Sequence, residues 1–367
     1  MPGGMQLKTE VLATSTCALC GACLDWCPYL KNLEDHLVLR FDCPVTEQGR
    51  CYSVCPRTFT DWQAINDRFL SGVDYDTDIG AFQTVYRVKS RQSIRDQQDG
   101  GTVSTLLRTA LLDELVDGVL VTGKEDALTP WPFLAEDAAE IEKAAGSRYL
   151  VSPSLRKIIE AREKGLEKLA VVGRPCQVQA LRKMEFNRPP DSPALDVLSI
   201  GLFCMWSLSW AFKDYLAKTY PGLTFSRMAI PQHEVELTSN EGIKSLPMET
   251  VQEFIRTGCR YCLDMTSELA DISVGAFEPV PGWNTVVIRS DRGKELLDRA
   301  VSQDLLQAEE YPPEELNRLR QASRNKKARG LRNIKQAAEE QKLTPFIDMS
   351  QPPYQAIMEE SSGKEGF

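Results

Sequence analysis

The stretch Cys17-Ala-Leu-Cys20-Gly-Ala-Cys23-Leu-Asp-Trp-Cys27-Pro28 decides how this chain is read. Its C-x2-C-x2-C-x3-C-P spacing is the one that holds iron–sulfur cubanes. Three thiolates two residues apart can wrap one corner-sharing cube, while the fourth, on the turn before proline, points the other way. Working outward, Cys43, Cys51 and Cys55-Pro56 follow. Seven of the eleven cysteines lie between Cys17 and Cys55 and four between Cys176 and Cys262, so two ligand sets use every cysteine in the chain. The pattern points to electron transfer.

In two-cluster ferredoxins the fourth cysteine of such a run ligates the other cluster, and a second run reciprocates. By that logic Cys17, Cys20, Cys23 and Cys55 hold one cluster, and Cys27, Cys43 and Cys51 give three ligands to a second. A fourth thiolate is missing. Three residues before Cys43 stands Arg40, which stays protonated and cannot bind iron. Asp42 offers an oxygen ligand, and a three-iron or open-corner cluster is the other solution. Zinc also uses C-x2-C pairs, but four cysteines ending in Cys-Pro are more specific than a lone pair.

Length and composition agree with an intracellular redox protein. With 367 residues, 42% of them hydrophobic, the chain can bury a real core over two or three domains. No stretch approaches the roughly 18–20 apolar residues of a membrane span. Met1 to Glu10 has no apolar segment of a secretory signal, and C-x2-C runs without one fit a reducing, metal-loading compartment better than a disulfide framework. The expected location is the cytoplasm. The net charge of −9 argues against nucleic acid or an anionic membrane as the main partner.

The expected fold class is α+β: a ferredoxin-like iron–sulfur domain over residues 1–65, then an α/β domain with a mixed sheet over 66–305, then a basic helix and tail over 306–367. The middle part alternates. Helices are expected over 102–115, 154–163, 177–186 and 208–217, and buried strands over 118–122, 168–173, 195–203 and 284–289. Such alternation packs helices on a mostly parallel or mixed sheet.

The second cysteine set is dispersed, and only its context makes it a site. Cys176, in Gly173-Arg174-Pro175-Cys176-Gln177, falls at a strand-to-helix turn with proline at the first helical position. A thiolate there gains from the helix dipole. Cys204 ends the following strand, and consecutive parallel strands bring their ends together. Cys259-Arg-Tyr-Cys262 then supplies a pair that completes four. The bland alternative is that Cys176 and Cys204 are ordinary buried cysteines.

At this point the chain resembles the coenzyme F420 hydrogenase/dehydrogenase beta-subunit family, which includes formate dehydrogenase beta subunits, F420-oxidising subunits of membrane complexes and a plant chlorophyll-derivative reductase. The resemblance rests on the run 17–27, on Gln98-Asp99-Gly100-Gly101-Thr102-Val103-Ser104-Thr105-Leu106-Leu107, and on Gly146-Ser147-Arg148-Tyr149. It continues through Gly173-Arg174-Pro175-Cys176-Gln177, Gly201-Leu202-Phe203-Cys204, and Cys259-x2-Cys262-Leu263-Asp264 with Ala270-Asp271-Ile272-Ser273-Val274-Gly275. It implies an FAD-bearing subunit with a 4Fe-4S cluster on Cys176, Cys204, Cys259 and Cys262, making two or three clusters in all. Hydride would pass between a soluble carrier, F420 or NAD(P)H, and the flavin. Single electrons would continue to other subunits of a redox complex, of hydrogenase, formate dehydrogenase or heterodisulfide reductase type. Fuller members carry eight cysteines in the amino-terminal module, where this chain has seven.

For the flavin, Gly100 and Gly101 before a helix let backbone approach a ligand, and the N–H groups of Thr102, Val103 and Ser104 could meet a diphosphate. The plain alternative is a helix start capped by Asp99. Ser147, Arg148, Tyr149 and Ser152 are further candidates. His36 and His233, the only histidines, neighbour no second base and are assigned to structure. Between Arg318 and Lys335 lie eight basic residues and no acid; the readings are a solvated helix face or a docking surface for an acidic partner or anionic cofactor tail. Two further function classes stay open: a flavin-free electron-transfer adaptor and a self-contained reductase of an organic substrate.

Overall fold

The computed structural model describes residues 2–93, 97–126, 128–231 and 234–362; His233 lies outside them. Eight strands form one mixed sheet: β1 Thr84–Ser90, β2 Gly118–Lys124, β3 Pro130–Ala135, β4 Lys168–Gly173, β5 Asp196–Leu202, β6 Ile272–Ala276, β7 Asn284–Ile288 and β8 Leu306–Glu310. Their spatial order is β8-β1-β7-β6-β5-β4-β2-β3. The central β2, β4, β5 and β6 run parallel, and antiparallel pairs close both flanks. Residues 306–310, which open the expected carboxy-terminal segment, thus form an edge of the sheet.

Alternate residues of each central strand face opposite layers, as the two-residue repeat of a strand requires. Val119, Val121, Leu198 and Ile200 pack under helices α1 (Thr102–Leu112) and α3 (Asp291–Ser302), through Leu106, Ala110, Leu296 and Ala300. Leu120, Leu169, Val171 and Val197 face the other way, onto Ala180 and Leu181 of α2 (Pro175–Phe186) and onto Cys20, Ala22 and Val54 of the cysteine-rich module. Each fully buried aliphatic side chain contributes about 1.5–3 kcal/mol. Arg182 of α2 is pinned to the sheet by Asp271 at 2.9 Å and by the Ser199 hydroxyl at 3.0 Å.

The amino-terminal region is built differently. A hairpin, Leu30–Leu33 with His36–Leu39, and short helical turns at 4–12 and 50–53 surround a small cluster of buried aliphatic side chains, Leu7, Val11, Leu24 and Leu30. So small a core makes the region depend on what its cysteines hold and on docking to the sheet. His36 is a surface residue of the hairpin, bonded to Asp35 at 2.8 Å.

Two parts depart from expectation. A three-stranded antiparallel sheet, Phe225–Ala229, Glu234–Ser239 and Gly242–Pro247, is inserted between Cys204 and Cys259 with its own core around Leu208, Phe212 and Leu237. The basic run lies on the 27-residue helix α4 (Pro313–Glu339) and divides between an outward side, Arg318 included, and residues that turn toward the protein. Arg320 meets Asp76 at 2.7 Å, Arg324 meets Asp78 at 2.8 Å, and Lys326 and Lys327 point into the protein. Arg329, Arg332 and Lys335 remain outward.

Candidate iron–sulfur and flavin site

Cys176 and Cys204 meet because β4 and β5 are parallel neighbours in register, Gly173 opposite Gly201. Pro175 occupies the first helical position of α2, and the Gln177 side chain accepts the Arg174 N–H at 2.9 Å, closing the turn that presents Cys176. The N–H of Cys204 donates to the Met265 carbonyl at 2.9 Å, just past β5. Cys259 lies in the helical turn Thr257–Tyr261 and Cys262 ends it. The Ser207 N–H points at the Cys259 sulfur, 3.4 Å away. The four thiols act on one another electrostatically. Burial pushes Cys176 up and Cys204 up to about 12. Burial also raises Cys262, but Lys326 and Arg57 outweigh it and hold that thiol below its ordinary value.

The seven amino-terminal cysteines lie near one another. Cys20 and Cys23 feel Cys17 and Cys55, Cys23 also feels Cys51, and Cys51 feels Cys27 and Cys43. Burial, then neighbouring thiolates, pushes Cys20 and Cys23 well up and Cys55 and Cys51 to about 11. Thiols crowded this way cannot all ionise unless a cationic core sits among them, and coordination to a metal deprotonates a thiol outright. Gly4 supplies a cradle for the second group: a Cβ there would stand 2.9 Å from the Cys43 sulfur and 3.8 Å from that of Cys51. Asp42 faces Lys8 at 3.6 Å, its side chain 85% exposed. Among the described residues no three His, Cys, Asp or Glu side chains converge as one shared metal ion would need.

The two sets adjoin. Leu155, in the segment that leads from Ser152, donates its N–H to the Cys20 carbonyl at 3.0 Å, and Arg256 reaches from the second set to the Cys17 carbonyl at 3.1 Å. Between them lie buried cations that sequence spacing alone does not place. The Arg57 N–H points at the Cys55 sulfur, 3.4 Å away, while its guanidinium donates to the Gly258 carbonyl at 3.1 Å. Lys183 donates to the Cys55 carbonyl at 2.6 Å, and burial, partly opposed by Cys55 and Cys20, brings its pKa down to about 8. Lys326 donates to the carbonyls of Cys204 and Asp264.

The flavin candidates fall into two places. Gly101, left-handed at φ 69°, opens α1, and a Cβ there would stand 2.8 Å from the Gln97 side-chain oxygen. No side chain caps the helix, Asp99 included. The Thr102 N–H is drawn toward the Asn284 side-chain oxygen at 3.4 Å, and Val103 and Ser104 are half-buried in the first turn. Gln98, absent from the expected contacts, links this mouth to the other loop: it accepts the Ser147 N–H at 2.9 Å and donates to the Tyr149 hydroxyl at 3.1 Å. A cleft there is lined by Gln98, Lys124, Ser147, Tyr149 and Arg227. Arg148 spends its guanidinium on the carbonyls of Gly123, Ser147 and Ala145, fastening the loop to β2. Ser152 is elsewhere. It is buried by the Cys176 turn, its carbonyl taking bonds from Arg174 and Gln177 at 3.3 and 3.1 Å.

A mixed α/β sheet with thiol sets gathered at the carboxyl ends of its parallel strands places ligands where open α/β sheets bind them, and it defines a redox class of protein. Two family models match the chain: the N-terminal part of the coenzyme F420 hydrogenase/dehydrogenase beta subunit over residues 85–158, and its C terminus over 166–314. The coenzyme F420 hydrogenase subunit beta of Methanosarcina barkeri is 31% identical over 244 residues, 63% of this chain and 83% of the relative. A chain of the F420-reducing [NiFe] hydrogenase complex from Methanosarcina barkeri superposes with a TM-score of 0.67 at 29% identity, covering 73% of this chain and 96% of that one. The coenzyme F420-dependent sulfite reductase of Methanocaldococcus jannaschii is 29% identical over 308 residues, 78% of this chain; the chain spans only 46% of that relative's length. The chain belongs to the coenzyme F420 hydrogenase/dehydrogenase beta-subunit family.

Proposed function

We propose that this chain is the iron–sulfur flavoprotein subunit of an F420-linked redox complex in the cytoplasm. The observation that carries the reading is Arg57, whose N–H lies 3.4 Å from the Cys55 sulfur while its guanidinium reaches the Gly258 carbonyl beside Cys259 at 3.1 Å, so the two thiol sets adjoin. Bound FAD would accept hydride from the carrier and release single electrons, which iron–sulfur clusters can take. In this reading Cys176, Cys204, Cys259 and Cys262 hold a 4Fe-4S cluster. Cys17, Cys20, Cys23 and Cys55 hold a second, ferredoxin-like one, and Cys27, Cys43 and Cys51 hold a third that is one thiolate short.

The chain's own residues divide the work. Gln98 fixes the spacing between Gly100-Gly101 and Ser147-Tyr149, so the first-turn N–H groups of Thr102, Val103 and Ser104 stay presented beside a shaped cleft. Residues 1–65 carry the pair of clusters that meets partner subunits. Residues 66–305 carry flavin and the Cys176/Cys204/Cys259/Cys262 site, and residues 306–367 brace that site. F420 is favoured over NAD(P)H because the hydrogenase and sulfite reductase relatives are named for it.

The test is anaerobic reconstitution with FAD, iron and sulfide, followed by addition of reduced F420, NADH or NADPH in turn. Reduced F420 should bleach the flavin absorbance and then the broad cluster absorbance. Bleaching by NADH or NADPH alone would overturn the carrier assignment, and a protein that takes up iron but no flavin would be an adaptor instead.

A further inference from the structure

Arg57 and Lys326 are 4% and 1% exposed, and among the described residues neither forms an ion pair with a carboxylate; their side chains donate to backbone carbonyls. Among the described residues the Arg57 Nε has no hydrogen-bond partner. Lys327, the next residue along α4, takes Glu268 at 2.8 Å, so that carboxylate is already engaged. Asp264 turns one oxygen to the Glu268 N–H at 3.0 Å. What both cations do face is the thiol set. Arg57 acts electrostatically on Cys262, Cys176 and Cys259, and Lys326 on Cys262, Cys204 and Cys259 and on the Asp264 carboxylate. A buried charge without an anion is costly by several kcal/mol, and one carboxylate for two buried cations among four thiols suits a negatively charged occupant.

The origin of the two residues is the informative part. Arg57 lies before the family match begins at residue 85, and Lys326 lies after it ends at residue 314. Two segments outside the matched core therefore each insert one buried cation against the same four cysteines. The helix is seated for this: a Cβ on Gly330 would stand 3.0 Å from the Cys262 carbonyl, so glycine lets α4 close onto the cysteine turn.

We propose that Arg57 and Lys326 are positioning cations that raise the reduction potential of the Cys176/Cys204/Cys259/Cys262 cluster, so that this site draws electrons from the flavin. The inference rests on the cluster assignment above. Four thiolates around an oxidised 4Fe-4S core carry two net negative charges, and one added electron makes three. Cations held beside the site favour the more negative, reduced form, and charge and hydrogen bonds to sulfur are among the levers that set such potentials. Arg57 also touches the Cys55 side, whereas Lys326 acts on the second set alone.

The experiment is a dithionite titration of the reconstituted full chain, followed by low-temperature electron paramagnetic resonance, with the signal assigned by its loss in Cys259→Ser. Lys326→Met and Arg57→Gln should each make reduction of this cluster at least tenfold less favourable, a shift of about 59 mV for one electron. Arg57→Lys should stay within threefold of the parent. Lys326→Met should leave the Cys17/Cys20/Cys23/Cys55 signal in place. If iron content is full and potentials in all variants agree within twofold, the proposal is overturned. If Lys326→Met loses the cluster, retention in Lys326→Arg supports the charge role, and equal loss in both assigns Lys326 to packing and overturns it. Absence of any Cys259-dependent signal in the parent would instead remove the cluster assignment itself.

Discussion

The backbone N–H of Leu155 donates to the carbonyl of Cys20 at 3.0 Å. This one bond ties the first cysteine turn to the segment that carries Ser152, and Ser152 in turn bonds the strand-end turn of Cys176. The amino-terminal module and the sheet are thus joined by one backbone bond and by the Arg174 and Gln177 side chains that hold the Ser152 carbonyl.

The joint should be sensitive to its one buried ion pair. Arg256 meets Asp35 at 2.8 Å, with side chains 10% and 3% exposed, and also holds the Cys17 carbonyl. Removing one partner of such a pair strands a charge and costs about 3–5 kcal/mol. Asp35→Ala is expected to lose about that much in denaturant unfolding, with release of iron from the amino-terminal sites before loss of the sheet's far-ultraviolet signal.

Cluster occupancy should be separable by set. Cys176→Ala or Cys262→Ala is expected to remove one cluster's iron and leave the amino-terminal signals unchanged. Gly4→Val, which thrusts a side chain at the Cys43 sulfur, should do the reverse. Iron analysis with electron paramagnetic resonance distinguishes the cases, and unchanged iron in both cysteine variants rules out the second site.

Flavin binding should depend on Gln98 more cleanly than on Gly101. Valine at Gly101 meets left-handed strain of about 1–2 kcal/mol and a collision with Gln97, so its loss of flavin would not identify a contact. Gln98→Ala only unlinks Ser147 from Tyr149. FAD affinity measured by fluorescence should fall about tenfold or more, an effect of roughly 1.4 kcal/mol or more, with iron content unaltered.

Glu268 gives a pH signature. Burial, only partly offset by Lys327, pushes its carboxyl up to about 7. A carboxylic acid with a raised folded pKa binds its proton more tightly when native, so its contribution to stability falls as pH rises from the ordinary glutamate range to about 7. Glu268→Gln cannot ionise. The melting temperature of the variant minus that of the parent should therefore increase between pH 5 and pH 7, approximately the window set by the two pKa values, and a flat difference would contradict the buried charge.

What the sequence made legible follows from local chemistry. Strand Lys168–Gly173 has the bounds expected of it because a continuous apolar run ends in glycine and is followed by Pro175, and that same proline located Cys176. The polar edge strand Leu306–Glu310 carries no such pattern, since one side needs no apolar face, and the inserted sheet 225–247 alternates too weakly to stand out. The basic run was legible only in part. Sequence spacing shows charge, not direction, and the acids that turn some of it inward, Asp76, Asp78 and Glu268, lie 59 to 246 residues away along the chain. Gln98 stood inside a quoted motif, but its role needed the loop at Ser147 to fold over it.

Helix α4 also has a bearing on biosynthesis. The four cysteines of the second set are translated before residues 313–339, so they emerge from the ribosome ahead of the helix that covers Cys262 and contributes Lys326. During that interval the Cys262 turn lacks the cover that α4 later provides. A chain stopped before Pro313 would carry all eleven cysteines but neither that cover nor Lys326, so it would present the second thiol set in a more open, exchangeable form.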